Sequence, residues 1–201
     1  GEPGAELRLG DIDRSLEAFF AKLRSKGILD DTMVVIYGDH DSRMMLRGHE
    51  ISSIVKELAF TPARAARLAR RDFATDRIPL FIVPPKNAAV VPGVVSTFGG
   101  QIDTAPTVLH FAGLERPRSF LGQSLYPSRP AGVVMVKGSA ATESALWSAQ
   151  RKVCEKPDTF EPLPRTQCDA LQKRVSEELE MSWLLTMKNL AREIEDTTYP
   201  N

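Results

Sequence analysis

The sequence predicts an α/β fold, helices layered on both sides of a mostly parallel sheet, with a long helix near its C-terminal end. Three observations carry that prediction. Met33-Val34-Val35-Ile36-Tyr37 is an unbroken apolar run rich in β-branched residues, the pattern of a strand buried on both faces and so of a parallel sheet. An amphipathic helix pattern precedes it through a short turn, which is half of a right-handed crossover unit. A second apolar run, Ile78 to Val83, and two further helical patterns follow.

Bulk properties set the frame. Two hundred and one residues, 42% of them hydrophobic, suffice for one domain with a sizeable core. The formal net charge is zero, which gives no global argument for nucleic acid, so an anionic partner has to be met by a local patch. No run approaches the length of a membrane span and no signal-peptide pattern opens the chain, so the segment reads as soluble. Its start, GEPGAELRLG, passes straight into a helix, as expected of a segment that begins inside a larger protein. We find no internal repeat, glycine-rich phosphate loop or low-complexity linker, and read residues 1–201 as a single domain.

Leu9, Ile12, Leu16, Phe19, Phe20 and Leu23 recur at helical spacing, which predicts a helix over about 8–25 stopped by Gly27. Asp30, Asp31 and Thr32 then turn the chain into the strand at 33–37. That strand ends on Gly38, Asp39 and His40. In open α/β sheets the chemistry lies just beyond the carboxyl ends of strands, and a carboxylate and an imidazole are both ligands for a divalent metal. The same pair also reads as a helix N-cap followed by a polar loop residue.

The polar loop from Asp41 to Glu50 carries Arg43, Arg47 and His49, and a cation and a second imidazole within ten residues of the Asp39-His40 pair are candidates for substrate contacts. Residues 49–72 read as two helical pieces, the second opened by Thr61-Pro62 and bearing Arg64, Arg67, Arg70 and Arg71. A solvated, charge-balanced face explains these arginines more simply than an anionic lipid or polymer does. Arg77 to Pro84 predicts the next buried strand, with a proline near each end where the ladder stops. Residues 87–98 form a loop or short edge strand; Ser96 and Thr97 there are loop residues rather than a nucleophile at a strand end.

At Gly100-Gln101-Ile102-Asp103-Thr104-Ala105-Pro106-Thr107, Asp103 or Thr104 is expected to cap a helix whose first turn holds Pro106 and which Gly113 ends. His110 within it reads as a core or boundary residue. Phe120-Leu121-Gly122-Gln123-Ser124-Leu125 follows, then an edge strand at Val133 to Val136. Leu171, Val175, Leu179, Trp183, Leu184, Met187, Leu190 and Ile194 mark one long amphipathic helix, whose stripe reads as packing. Both chain ends, DTTYPN included, read as disordered. Cys154 and Cys168 are either two small buried thiols or a local disulfide across the proline-rich loop between them.

Tyr37-Gly38-Asp39-His40 after GILDDTMVVI resembles the late metal-binding strand of the alkaline phosphatase superfamily, and most of all its sulfatase-like branch with lipoteichoic acid synthases and other phosphoglycerol transferases. The Arg-x-Pro strand at 77–84, the Asp-x-x-Pro-Thr helix entry at 103–107 and the Gly-x-Ser-Leu segment at 122–125 are similar to the same branch, so the resemblance covers about residues 8–126, with 127–201 as a C-terminal extension. Asp41 and Ser42 stand where many relatives have glycine soon after the histidine.

The resemblance implies the C-terminal part of a sulfatase-like catalytic domain, an enzyme that transfers phosphoglycerol to an extracytoplasmic glycolipid or glycan. Sulfate-ester hydrolysis, phosphoethanolamine transfer and a non-catalytic module binding anionic polymer or lipid are the other readings. It also implies Asp39 and His40 as metal ligands, with manganese or magnesium first and zinc next, and His49 and Arg43 as substrate contacts. Family nucleophiles lie on earlier strands, so none is expected in this segment, which alone should be inactive. A phospholipid or anionic glycan is the implied substrate, nucleic acid is not a partner, and an upstream anchor would hold the protein on the outer side of the membrane. That oxidising setting favours the disulfide.

Overall fold

The computed structural model describes residues 3–40, 78–86, 88, 90–95, 97–127, 132–157 and 159–196. Within them the chain is mixed α/β and closes on a long C-terminal helix. It divides into two compact units, Gly1–Val91 and Pro92–Asn201. The helical pieces expected over 49–72, with Arg64, Arg67, Arg70 and Arg71, lie outside the described residues.

In the first unit, helix α1 spans Pro3–Ser25. It starts five residues before the expected residue 8, at a proline whose fixed φ and missing N–H suit a first helical position, so the start expected to be disordered is helical. Leu16, Phe20 and Leu23 are half-buried along one stripe, while Ile12 and Phe19 are exposed. Gly27 takes the left-handed conformation, φ 69°, and ends the helix as expected. A 3-10 turn, Ile28–Asp30, leads into strand β1, Val34–Tyr37.

Strand β2, Leu80–Val83, is the ladder partner of β1, between Pro79 and Pro84. The pairing is antiparallel, Val34 opposite Val83 and Tyr37 opposite Leu80. The parallel neighbour expected for the 33–37 run is therefore not β2, although mixed sheets commonly carry an antiparallel strand. Burial is partial as well: Val34 to Ile36 are half-covered, and Tyr37 and Phe81 are exposed, because β1 has one ladder partner among the described residues. Hydrogen bonds extend the ladder at both ends, from Gly38 N–H to the Pro79 carbonyl (3.0 Å) and from Lys86 N–H to that of Asp30 (3.0 Å).

In the second unit, a 3-10 turn, Gln101–Asp103, runs directly into α2, Thr104–Phe111. Neither Asp103 nor Thr104 caps this helix through its side chain, a departure from expectation. Capping needs extended dihedrals at the cap, whereas Asp103 is already helical (φ −89°, ψ −10°), and Pro106 removes one of the donors a cap would serve. The Asp103 carboxylate instead accepts from Gly100 N–H and from Gln123 N–H, each at 2.8 Å. One turn later, the Thr107 hydroxyl donates to the Asp103 carbonyl (2.6 Å) and accepts from Leu125 N–H (3.0 Å). The two sequence motifs at 103–107 and 122–125 are thus two halves of one lock, buried at Asp103, Thr107 and Gly122. Gly122 is required there, since a Cβ would stand 2.0 Å from the Ile102 carbonyl oxygen.

Four short strands follow as an antiparallel meander in chain order: β3 (Val133–Val134), β4 (Ala140–Ala141), β5 (Leu146–Ser148) and β6 (Val153–Glu155). The edge strand expected at 133–136 is β3; the other three have no counterpart in the sequence reading. Helix α3, Asp169–Met187, lays Leu171, Val175 and Leu179 on the sheet, against Ala140, Ala145 and Trp147. A disulfide between Cys154 on β6 and Cys168, at the 3-10 turn before α3, completes this core. Both cysteines are buried and their Cα atoms are 5.9 Å apart. The single long helix expected over 171–194 breaks at Asn189 (φ 52°), after which α4 spans Leu190–Asp196.

Candidate metal centre

The end of β1 places a carboxylate and an imidazole side by side. Gly38 lies close against the residues that lead into β2: a Cβ there would be 3.1 Å from Ile78 Cβ. Asp39 and His40 follow, with side chains 87% and 54% exposed and His40 Nε2 3.6 Å from Asp39 Oδ1. Two donors each about 2.0–2.2 Å from one cation stand roughly 3–4 Å apart, so this oxygen and this nitrogen suit two positions around a divalent ion. The N-cap reading of Asp39 concerns the residues after His40, which are not described.

Among the described residues no group of three or more His, Cys, Asp or Glu side chains is gathered as a metal site. His49 and Arg43, the implied substrate contacts, lie outside them, as does Ser96. His110 is exposed on α2, with its ring 5.8 Å from that of Phe111 and 5.9 Å from that of Tyr126. That is a surface position against two rings, more exposed than the core or boundary position expected of it. The lock at Asp103, Thr107 and Gly122 was legible as a motif, but its role was not, since the partners lie about twenty residues apart. No helix among the described residues is long and apolar enough to cross a membrane.

The mixed α/β fold, with strand β1 ending on an Asp-His pair and an Asp-x-x-Pro-Thr helix downstream, is that of the sulfatase-like α/β domains. The sulfatase family matches residues 8–114, and the chain belongs to it. Its relatives include lipoteichoic acid synthase 1 of Bacillus subtilis, 27% identical over 184 residues that make up 90% of this chain and 27% of that protein. Lipoteichoic acid synthase of Staphylococcus aureus is 25% identical over 173 residues, 85% of this chain and 25% of that protein. The chain thus spans about a quarter of the length of these relatives. Among solved structures, the lipoteichoic acid synthase LtaP from Listeria monocytogenes shares the fold, with a TM-score of 0.62 at 24% identity over 84% of this chain and 41% of that one.

Proposed function

We propose that this chain is the metal-bearing C-terminal part of the catalytic domain of a phosphoglycerol transferase that builds an anionic, glycolipid-linked polymer outside the membrane. The observation that carries the proposal is the Asp39 and His40 pair, a carboxylate oxygen and an imidazole nitrogen 3.6 Å apart at the end of β1. The names of its relatives supply the product class. Asp39 contributes a negative charge and His40 a lone pair to one divalent cation, manganese or magnesium first and zinc next. Such a cation, when bound, activates a nucleophile and neutralises the charge on a transferred phosphoryl group. Arg43 and His49 follow within ten residues and supply donors to a phosphate oxygen. The nucleophile and remaining ligands come from sequence upstream, as does a membrane anchor, and the domain faces the extracytoplasmic side. The buried disulfide supports that location, because such bonds persist in oxidising compartments.

The test is metal analysis beside a phosphodiester-cleavage assay on the full-length parent, with Asp39→Asn and His40→Ala variants. We expect each variant to lose bound metal and at least about 100-fold in turnover, the scale on which a missing electrostatic contact acts. Metal content and turnover unchanged in both variants would remove the pair from the site. A parent that holds no metal and cleaves nothing would favour a module that binds anionic polymer without chemistry.

A further inference from the structure

The two ends of the β3–β6 meander differ in charge. Turns 135–139 and 149–152 lie together at one end, because β3 to β4 and β5 to β6 reverse on the same side of the ladder. They carry Lys137, Arg151 and Lys152 and contain no Asp or Glu. The turn at the other end, 142–145, carries Glu143 and no cation. In a chain of zero net charge, such an asymmetry is the kind of local surface that an anionic partner requires.

The backbone holds this end in one shape. Ala149 N–H donates to the hydroxyl oxygen of buried Ser139 at 3.1 Å, which ties the two turns to each other. Arg151 N–H donates to the hydroxyl oxygen of buried Ser148 at 3.3 Å, and the Arg151 guanidinium forks onto both oxygens of the buried Glu155 carboxylate, at 3.2 and 2.9 Å. Arg151 thereby offsets Glu155, and the net charge of the surface comes from the two lysines. Lys152 sits at φ 54°, a left-handed conformation that a side-chain-bearing residue keeps only where its surroundings dictate it. Lys137 and Lys152 are exposed and make no ion pair among the described residues. On α3, whose Val175 packs in the core with Ala140, Glu177 and Glu178 are paired with Lys173 and Arg174. Next to Lys137, in the first turn, Val136 is 88% exposed.

We propose that this end of the meander is a contact for an anionic lipid surface, with Lys137 and Lys152 among headgroup phosphates and Val136 entering the boundary with the acyl chains. The exposed valine decides for a lipid over a soluble polyanion. Phosphates in water offer an aliphatic side chain nothing, whereas a bilayer interface takes up both an apolar group and the cations beside it. Turns that are already fixed lose little conformational freedom on contact. Each cation near an anionic surface is worth about fivefold in partitioning, so the contact is weak by itself and serves to orient a domain tethered at the membrane. It needs no metal, and shares with the proposed function only the location at a membrane.

Flotation of the whole 201-residue chain with vesicles at millimolar lipid tests this, using phosphatidylcholine alone and an equal mixture with phosphatidylglycerol. We expect binding to the anionic vesicles only, and its loss at high salt. Lys137→Gln with Lys152→Gln should weaken partitioning about 25-fold, and Val136→Ser about threefold. Lys173→Gln, which removes a cation from the exposed face of α3, should bind as wild type. All three positions are on the surface, and emission from the buried Trp147 reports whether the meander is intact in each variant. No binding, equal binding to both kinds of vesicle, or unaltered binding by the double lysine variant would overturn the proposal. Inorganic polyphosphate bound by wild type and lost in that variant, with the vesicles left unbound, would assign the surface to a soluble polyanion instead.

Discussion

The most informative single residues in this chain are those that hold backbone to backbone. Asp103 spends both carboxylate oxygens on N–H groups, of Gly100 and Gln123, and Thr107 bridges the Asp103 carbonyl to Leu125 N–H. Replacing Asp103 by Asn turns two charge-assisted bonds into at most one good neutral one, so we expect a loss of about 1–3 kcal/mol. Gly122→Ala fails for a different reason. Its Cβ would meet the backbone Ile102 carbonyl at 2.0 Å, and a backbone atom cannot swing aside, so the lock must open at a cost of about 1–3 kcal/mol. Urea unfolding of both variants checks the two figures, and additivity in the double variant would argue against one shared lock. The chain's motifs announced Asp103 and Gly122 clearly. They did not announce the partnership, because a hydrogen bond between residues twenty apart leaves no periodic trace.

At the scale of elements, the legible ones are long and patterned. Helix α1 and the start of α3 repeat apolar residues at helical spacing over several turns, and β1 and β2 are compact apolar runs between turn and proline signals. Strands β4, β5 and β6 are two or three residues each, too short for any alternation to rise above chance. They exist because α3 and the disulfide cover them. Cys154 and Cys168 are fourteen positions apart, and closing a loop of that size stabilises by about 3 kcal/mol. Reduction, or Cys154→Ser with Cys168→Ser, should therefore destabilise the second unit by about 2–4 kcal/mol. Trp147 reports it, being buried on β5, through a red-shifted emission at lower urea concentration. An unchanged midpoint would show that the packing of α3 alone holds the meander.

For the whole molecule, membership of the sulfatase family covers residues 8–114, across the boundary between the two compact units. The two ligands proposed at the end of β1, Asp39 and His40, are too few to complete a metal site, and the chain spans about a quarter of its relatives' length. We expect the isolated 201-residue chain to cleave no phosphodiester under conditions in which the full-length parent does. Turnover by the isolated chain, abolished by chelation, would instead place a complete site within it.

The sequence by itself determined the class of fold, the family, the helix stop at Gly27 and the position of the Asp39-His40 pair at a strand end, because each depends on neighbours within a few turns or residues. Tertiary structure alone decided that β1 and β2 pair antiparallel, that Asp103 clamps a distant loop rather than capping its own helix, that the C-terminal helix breaks at Asn189, and that Glu195 reaches back to Ser119. Each of those outcomes is a choice between nearly equal local options, settled by contacts with residues far along the chain.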